Sequence, residues 1–118
     1  MLKNVLAFAG VRDFERAVRW YAMLLGREPD KQPMEGLAEW KFEAGGWLQV
    51  NESKLAGRGS ITLVETDIDE RLKILTKSGI QARSVSRGEK VSIIIITDPD
   101  GNQIVFAQGK DENHLSAM

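Results

Sequence analysis

Apolar positions along this chain change their period from strand-like to helical, and the change happens twice. Val5-Leu6-Ala7-Phe8-Ala9-Gly10-Val11 is a continuous apolar run of strand length. After Arg12-Asp13, apolar residues fall at Phe14, Ala17, Val18, Tyr21 and Leu25, the spacing of one helix face, and Gly26 stands where a C-terminal cap belongs. The layout then recurs. Ile61-Thr62-Leu63-Val64-Glu65 is strand-like, Asp67 precedes a helix with Ile68, Leu72 and Leu75 on one face, and Gly79 stops it. Asp67 and Glu70 have capping-box spacing, so their carboxylates can satisfy free N–H groups at the helix start.

Extended segments follow each helix. In the first half, Glu28–Met34 reads as strand or loop, Ala38–Ala44 alternates Trp40 and Phe42 with charges, and Trp47–Asn51 follows a Gly45-Gly46 turn. In the second half come Ile80–Ser84, Val91–Thr97 and Asn102–Gln108, with turns at Ser86–Glu89 and Pro99–Gly101. The last turn, Asp98-Pro99-Asp100-Gly101-Asn102, has Pro99 to preset φ, two aspartates to bond the turn backbone and Gly101 to close it in the left-handed region. The predicted architecture is α+β: two βαβββ modules, about 3–52 and 59–108, within one domain spanning 1–109. Their pairing is expected to give a strongly curved mixed sheet, a half-barrel with helices outside and a concave inner face. Glu52–Gly59 connects the halves, and residues 110–118 form a polar tail expected to fray.

Composition narrows the function classes. A formal charge of −1 without a Lys/Arg cluster argues against nucleic-acid binding, because that affinity rests on phosphate neutralisation. No apolar run is long enough to span a bilayer, and the first residues lack a signal-peptide layout, so a cytoplasmic protein is expected. With no cysteine, disulfides, thiol catalysis and thiolate metal sites are excluded. The lone histidine, His114, lies in the tail, so a Ser/His/Asp arrangement is ruled out as well. The acids Glu35, Glu39 and Glu43 fall in loop or alternating segments where exposure is the expected fate.

Two segments carry a family resemblance. Val11-Arg12-Asp13-Phe14 through Leu25-Gly26, and Asp98 through Phe106, resemble the first-half signature and the last hairpin of the glyoxalase / bleomycin-resistance / extradiol-dioxygenase superfamily, the vicinal oxygen chelate fold. The similarity runs from about residue 4 to residue 108. It implies the paired-module fold, frequent homodimerisation and, in metal-dependent members, four inward side chains that hold a divalent cation. That ion stabilises negative charge on two neighbouring substrate oxygens. The matching positions here are Leu6, seven residues before Asp13; Gln49; Ser60, seven before Asp67; and Val105 after the terminal turn. Only Gln49 is a sound donor and Ser60 a weak one. Gln103, two residues before Val105, adds an amide oxygen but no carboxylate. No metal and no cofactor are therefore expected.

With Leu6, Gln49, Ser60 and Val105 facing inward, period-two alternation brings Phe8, Trp47, Thr62, Gln103 and Ala107 to the same face. Trp40 and Phe42 are expected to add an aromatic wall. Such a mixture suits a small, largely uncharged organic molecule; the competing reading makes Phe8 and Trp47 plain core aromatics. The expected ligand set is thus Phe8, Trp40, Trp47, Gln49, Ser60, Thr62, Gln103 and Val105, with no catalytic residue assigned. Two alternatives stay open. One is a metal-dependent lyase or dioxygenase drawing on Gln49, Gln103, Glu39 or a partner subunit. The other is a filled cavity in a dimerising or regulatory module.

Overall fold

A computed structural model describes Met1, Asn4 and residues 6–110. The expectations about Val5 and His114, and nearly all of the polar tail, lie outside the described residues. The chain forms two compact units. The first comprises Met1–Ile61 together with Asp98–Asn102; the second comprises residues 62–97 and the segment from Gln103 onward.

In the first unit, β1 (Leu6–Val11), β2 (Lys31–Met34), β3 (Leu37–Lys41) and β4 (Trp47–Glu52) form a sheet ordered β1-β4-β3-β2. β1 runs parallel to β4, and the other pairs are antiparallel. A parallel pair needs a crossover, and α1 (Phe14–Leu25) opens that crossover. The helix starts because the Asp13 carboxylate accepts the Arg16 N–H at 3.2 Å. It ends at Gly26, whose φ of 76° admits glycine readily, with the Gly26 and Arg27 N–H groups both reaching the Ala22 carbonyl. Ala17, Tyr21 and Leu24 are the buried positions of this helix. They share the core with Ala9, Val11, Ala38, Trp40, Leu48 and Val50. Leu24, rather than the expected Leu25, closes this face.

The turn Asp98–Asn102 completes the first unit from far along the sequence. One Asp98 carboxylate oxygen accepts the N–H groups of Asp100 and Asn102, at 2.9 and 2.8 Å. The other accepts the Tyr21 hydroxyl and the Asn102 side-chain amide, both at 2.7 Å. Asn102, fully buried, also donates to the Gly10 carbonyl at 2.8 Å and accepts from the Gly59 N–H at 2.7 Å. Asp100 accepts from the Arg12 backbone and guanidinium, each at 3.1 Å. A Cβ at Gly57 would stand 2.2 Å from the Asp100 carbonyl oxygen, so only glycine permits this approach.

In the second unit, β6 (Ser84–Arg87), β7 (Val91–Thr97) and β8 (Gln103–Gly109) continue from β5 (Ser60–Val64) in the order β5-β8-β7-β6. The helix α2 (Ile68–Lys77) is capped by Asp67, which accepts the Glu70 N–H at 3.0 Å. Each module thus has the expected strand–helix–strand–strand–strand order, and strand pairing joins the eight strands into two sheets of four. Sequence placed the strand after α2 at Ile80–Ser84, with a turn at Ser86–Glu89; the strand is Ser84–Arg87, and the turn follows it at Gly88, whose N–H reaches the Val91 carbonyl. Ile80 instead belongs to the helix stop, its N–H bonded to the Leu75 carbonyl at 2.9 Å.

Candidate functional site

Register across the first sheet sets out the face that α1 does not cover. Phe8 on β1 stands opposite Gln49 on β4, Gln49 opposite Glu39 on β3, and Glu39 opposite Lys31 on β2. One row along, Leu6 stands opposite Trp47, and Trp47 opposite Lys41. Directly opposed strand residues point to the same side, so these two rows form a continuous surface. Phe8 and Leu6 keep 45% and 50% of their surface exposed there, and Trp47 and Gln49 are half-buried. Large apolar groups aligned this way are not the scattered surface residues of an ordinary sheet face.

The polar groups of this surface have fixed partners. The Gln49 side-chain N–H donates to the Glu39 carboxylate at 2.7 Å, which orients the amide, whose oxygen is an acceptor. The ammonium groups of Lys31 and Lys41 lie 5.6 and 5.7 Å from the centre of the Trp47 ring, within cation–π reach. The Phe8 ring leans along β1 over Gly10, where an added Cβ would come within 3.3 Å of it. Alternation in the sequence puts Phe8, Trp47 and Gln49 on one face, and the register of β1 and β4 agrees with that placement. The two lysines were missed, because a charge in an alternating strand gives no sign of what it faces.

Trp40 requires a correction. It is fully buried, its indole N–H donates to the Arg27 carbonyl at 3.0 Å, and its ring lies 6.2 Å from that of Tyr21. Its register partner Leu48 is equally buried, so Trp40 faces α1 and forms no wall of the open surface. The alternation Glu39-Trp40-Lys41 was sound, but it assigned the wrong member to the helix-free side.

In the second unit, Gln103 stands opposite Thr97, Val105 opposite Ile95, and Ala107 opposite Ile93. On the far side of β7, Ile95 and Ile93 meet Ser84 and Ser86. Gln103 and Val105 are half-buried, whereas Thr62 is exposed. Ser60, also exposed, belongs to the first unit. Ile93 and Ile95 were missed as members of this face. The signal was the run of four isoleucines, since a strand apolar at every position serves both sides of its sheet. Ile94 and Ile96 are fully buried, in a unit where α2 contacts β7 and β8.

The residues present do not fit the divalent ion of the family the sequence resembles. Leu6 and Val105 have no donor atom, and Gln49 offers one amide oxygen. Among the described residues no group of three or more His, Cys, Asp or Glu is placed to hold a metal. The deepest titratable pair, Tyr21 with Asp98, belongs to the packing of the first unit. Burial first, then the Asp98 carboxylate, raises the Tyr21 hydroxyl far above its ordinary pKa. A separate groove of about 750 Å³ opens beside the first turn of α1, with charges of both signs from Arg12, Arg19, Glu35 and Glu52 on its rim.

A glyoxalase / bleomycin resistance protein from Catenulispora acidiphila is 34% identical over 89% of this chain and 96% of its own, with a TM-score of 0.80. This chain belongs to the glyoxalase/bleomycin-resistance family. Two further solved members of the fold are more distant in sequence. An antibiotic-binding protein, TnmS3, from Streptomyces sp. CB03234 is 20% identical over 93% of this chain and 98% of its own, with a TM-score of 0.80. A glyoxalase/bleomycin resistance protein/dioxygenase from Alicyclobacillus acidocaldarius is 18% identical over 96% of both chains, with a TM-score of 0.77. No family model and no curated protein matches the chain. No helix among the described residues is long and apolar enough to cross a membrane.

Proposed function

We propose that this glyoxalase/bleomycin-resistance family member binds a small organic molecule on the helix-free face of its first sheet, without using the family's usual ion. The observation that carries this reading is the aligned row of Phe8, Gln49 and Glu39 beside Leu6 and Trp47. The rings and Leu6 offer apolar area, while the Gln49 oxygen, fixed by its bond to Glu39, supplies one directional acceptor. Few polar groups in set positions among apolar ones is the usual composition of a ligand site. Sheet residues hold such a constellation more rigidly than loops do. The antibiotic-binding neighbour from Streptomyces, on the same fold, adds support for a small-molecule ligand. On this reading the protein acts in the cytoplasm as a homodimer, for which sedimentation in solution is the direct check.

A thermal-shift screen of aromatic and antibiotic-like compounds tests the proposal. A hit present at a hundredfold excess over its Kd raises stability by about 2.7 kcal/mol. Trp47→Ala and Gln49→Ala are expected to abolish that gain. Unchanged affinity in both variants places the ligand elsewhere. Elemental analysis of protein purified without chelator separates the metal-dependent alternative: a transition metal at full occupancy that is lost in Gln49→Ala shifts the reading to a lyase or dioxygenase.

A further inference from the structure

We propose that the open face of the first sheet selects a planar aromatic molecule bearing a negative charge, its ring on Trp47 and Phe8 and its acid group toward Lys31 and Lys41. This deepens the ligand-binding reading above and rests on it. Lys41 is the direct cross-strand partner of Trp47, and Lys31 extends from the edge strand in the next row, opposite Glu39. Both ammonium groups approach the same indole ring, at 5.7 and 5.6 Å. Among the described residues neither lysine enters an ion pair, whereas the four ion pairs formed all use arginine. Two like charges therefore converge on one aromatic surface, and neither is held in an ion pair by a carboxylate.

Of the acids nearby, Glu39 already accepts the Gln49 amide and Asp30 pairs with the Arg27 guanidinium, so the three cations Arg27, Lys31 and Lys41 stand against two carboxylates. The local balance remains positive. An aromatic cation stacking on Trp47 meets two ammonium groups, a neutral ring gains only its stacking, and an anion also relieves the repulsion between the lysines. The backbone beneath Lys41 is fixed on both sides. Its N–H donates to the Asp30 carboxylate at 2.6 Å, and its carbonyl accepts from the Arg27 guanidinium, which also pairs with Asp30 at 2.6 Å. The hydrogen bond from Arg27, then that from the Lys41 N–H, keeps Asp30 below the ordinary carboxylate range, so this clamp stays charged near neutral pH. Lys41 thus extends from an ordered position, which lowers the entropy lost when it meets a ligand.

Three probes of one shape separate the terms: 2-naphthoate, 2-naphthamide and 2-naphthylmethylammonium, titrated calorimetrically at low salt. We expect naphthoate to bind about tenfold more tightly than naphthamide, as two exposed charge contacts of about 1 kcal/mol or less each allow. That advantage should vanish at about 1 M salt, where screening is nearly complete. It should also vanish in the Lys31→Gln/Lys41→Gln double variant, with naphthamide binding unchanged; both side chains are exposed, so the fold is retained. Equal affinities for naphthoate and naphthamide, both lost in Trp47→Leu, overturn the anion preference and leave the ligand face standing. Tightest binding of the ammonium probe overturns it too. Failure of all three to bind, or binding indifferent to a Trp47→Leu protein shown to be folded by circular dichroism, overturns both readings.

Discussion

The helix-free face of the first sheet carries Phe8, Trp47 and the bonded Gln49–Glu39 pair, while the same face of the second sheet carries Ile93, Ile95 and Val105 beside Ser84 and Ser86. Both sheets have four strands and one partner helix, and their helix-facing sides are similarly apolar. They part company on the other side. Isoleucine and valine attract apolar area without direction, whereas an indole ring, an oriented amide and two ammonium groups discriminate between ligands. Repeated modules thus keep the positions that hold the fold and vary those that do not.

The two units also differ in what holds them together, and the largest expected effect breaks that contrast. Asp98→Ala removes the acceptor of four hydrogen bonds, leaving the Tyr21 hydroxyl and the Asn102 backbone N–H buried without that partner. A loss of about 4 kcal/mol is expected in urea unfolding; a loss below about 1 kcal/mol would remove the turn from the core of the first unit. The next effect sharpens the two faces of the second sheet. Ile94→Ala, in a fully buried side chain, should cost about 3 kcal/mol, and Ile95→Ala, half-exposed on the other face, about half as much. Equal losses would mean that both faces are equally covered.

The smallest effect appears only in alkali. Tyr21 has a folded pKa raised above its ordinary value of about 10, so the native protein keeps a proton that the unfolded chain releases. The associated stability is complete below about pH 10 and declines above it, by about 1.4 kcal/mol per pH unit. Tyr21→Phe should flatten that part of the alkaline decline. An unchanged slope would show that the hydroxyl is not the group responsible.

Much of the fold was legible because its punctuation is local. Asp13, Gly26, Asp67 and Gly79 mark helix ends through their own side chains or backbone freedom, and Pro99 with Gly101 marks the final turn. Ile80 misled because an apolar residue just after a cap glycine packs on the helix it follows, and in sequence that looks like the start of a strand. The site was legible in part. Alternation separates two faces, but only register tells which of them meets the helix, and Trp40 opposite buried Leu48 is where that mattered. Lys31 and Lys41 had no signature at all, since their significance lies in a ring contributed by another strand.

Asn102 donates to a carbonyl 92 positions earlier, and Asp98 takes the hydroxyl of a tyrosine 77 positions earlier. During synthesis the opening strand and helix must therefore wait, their central polar socket vacant, until residues 98–102 have left the ribosome. A fragment ending near residue 61 would lack the plug for that socket, so the two halves are not separable products. Such late, distant closure is the kind that slows folding most.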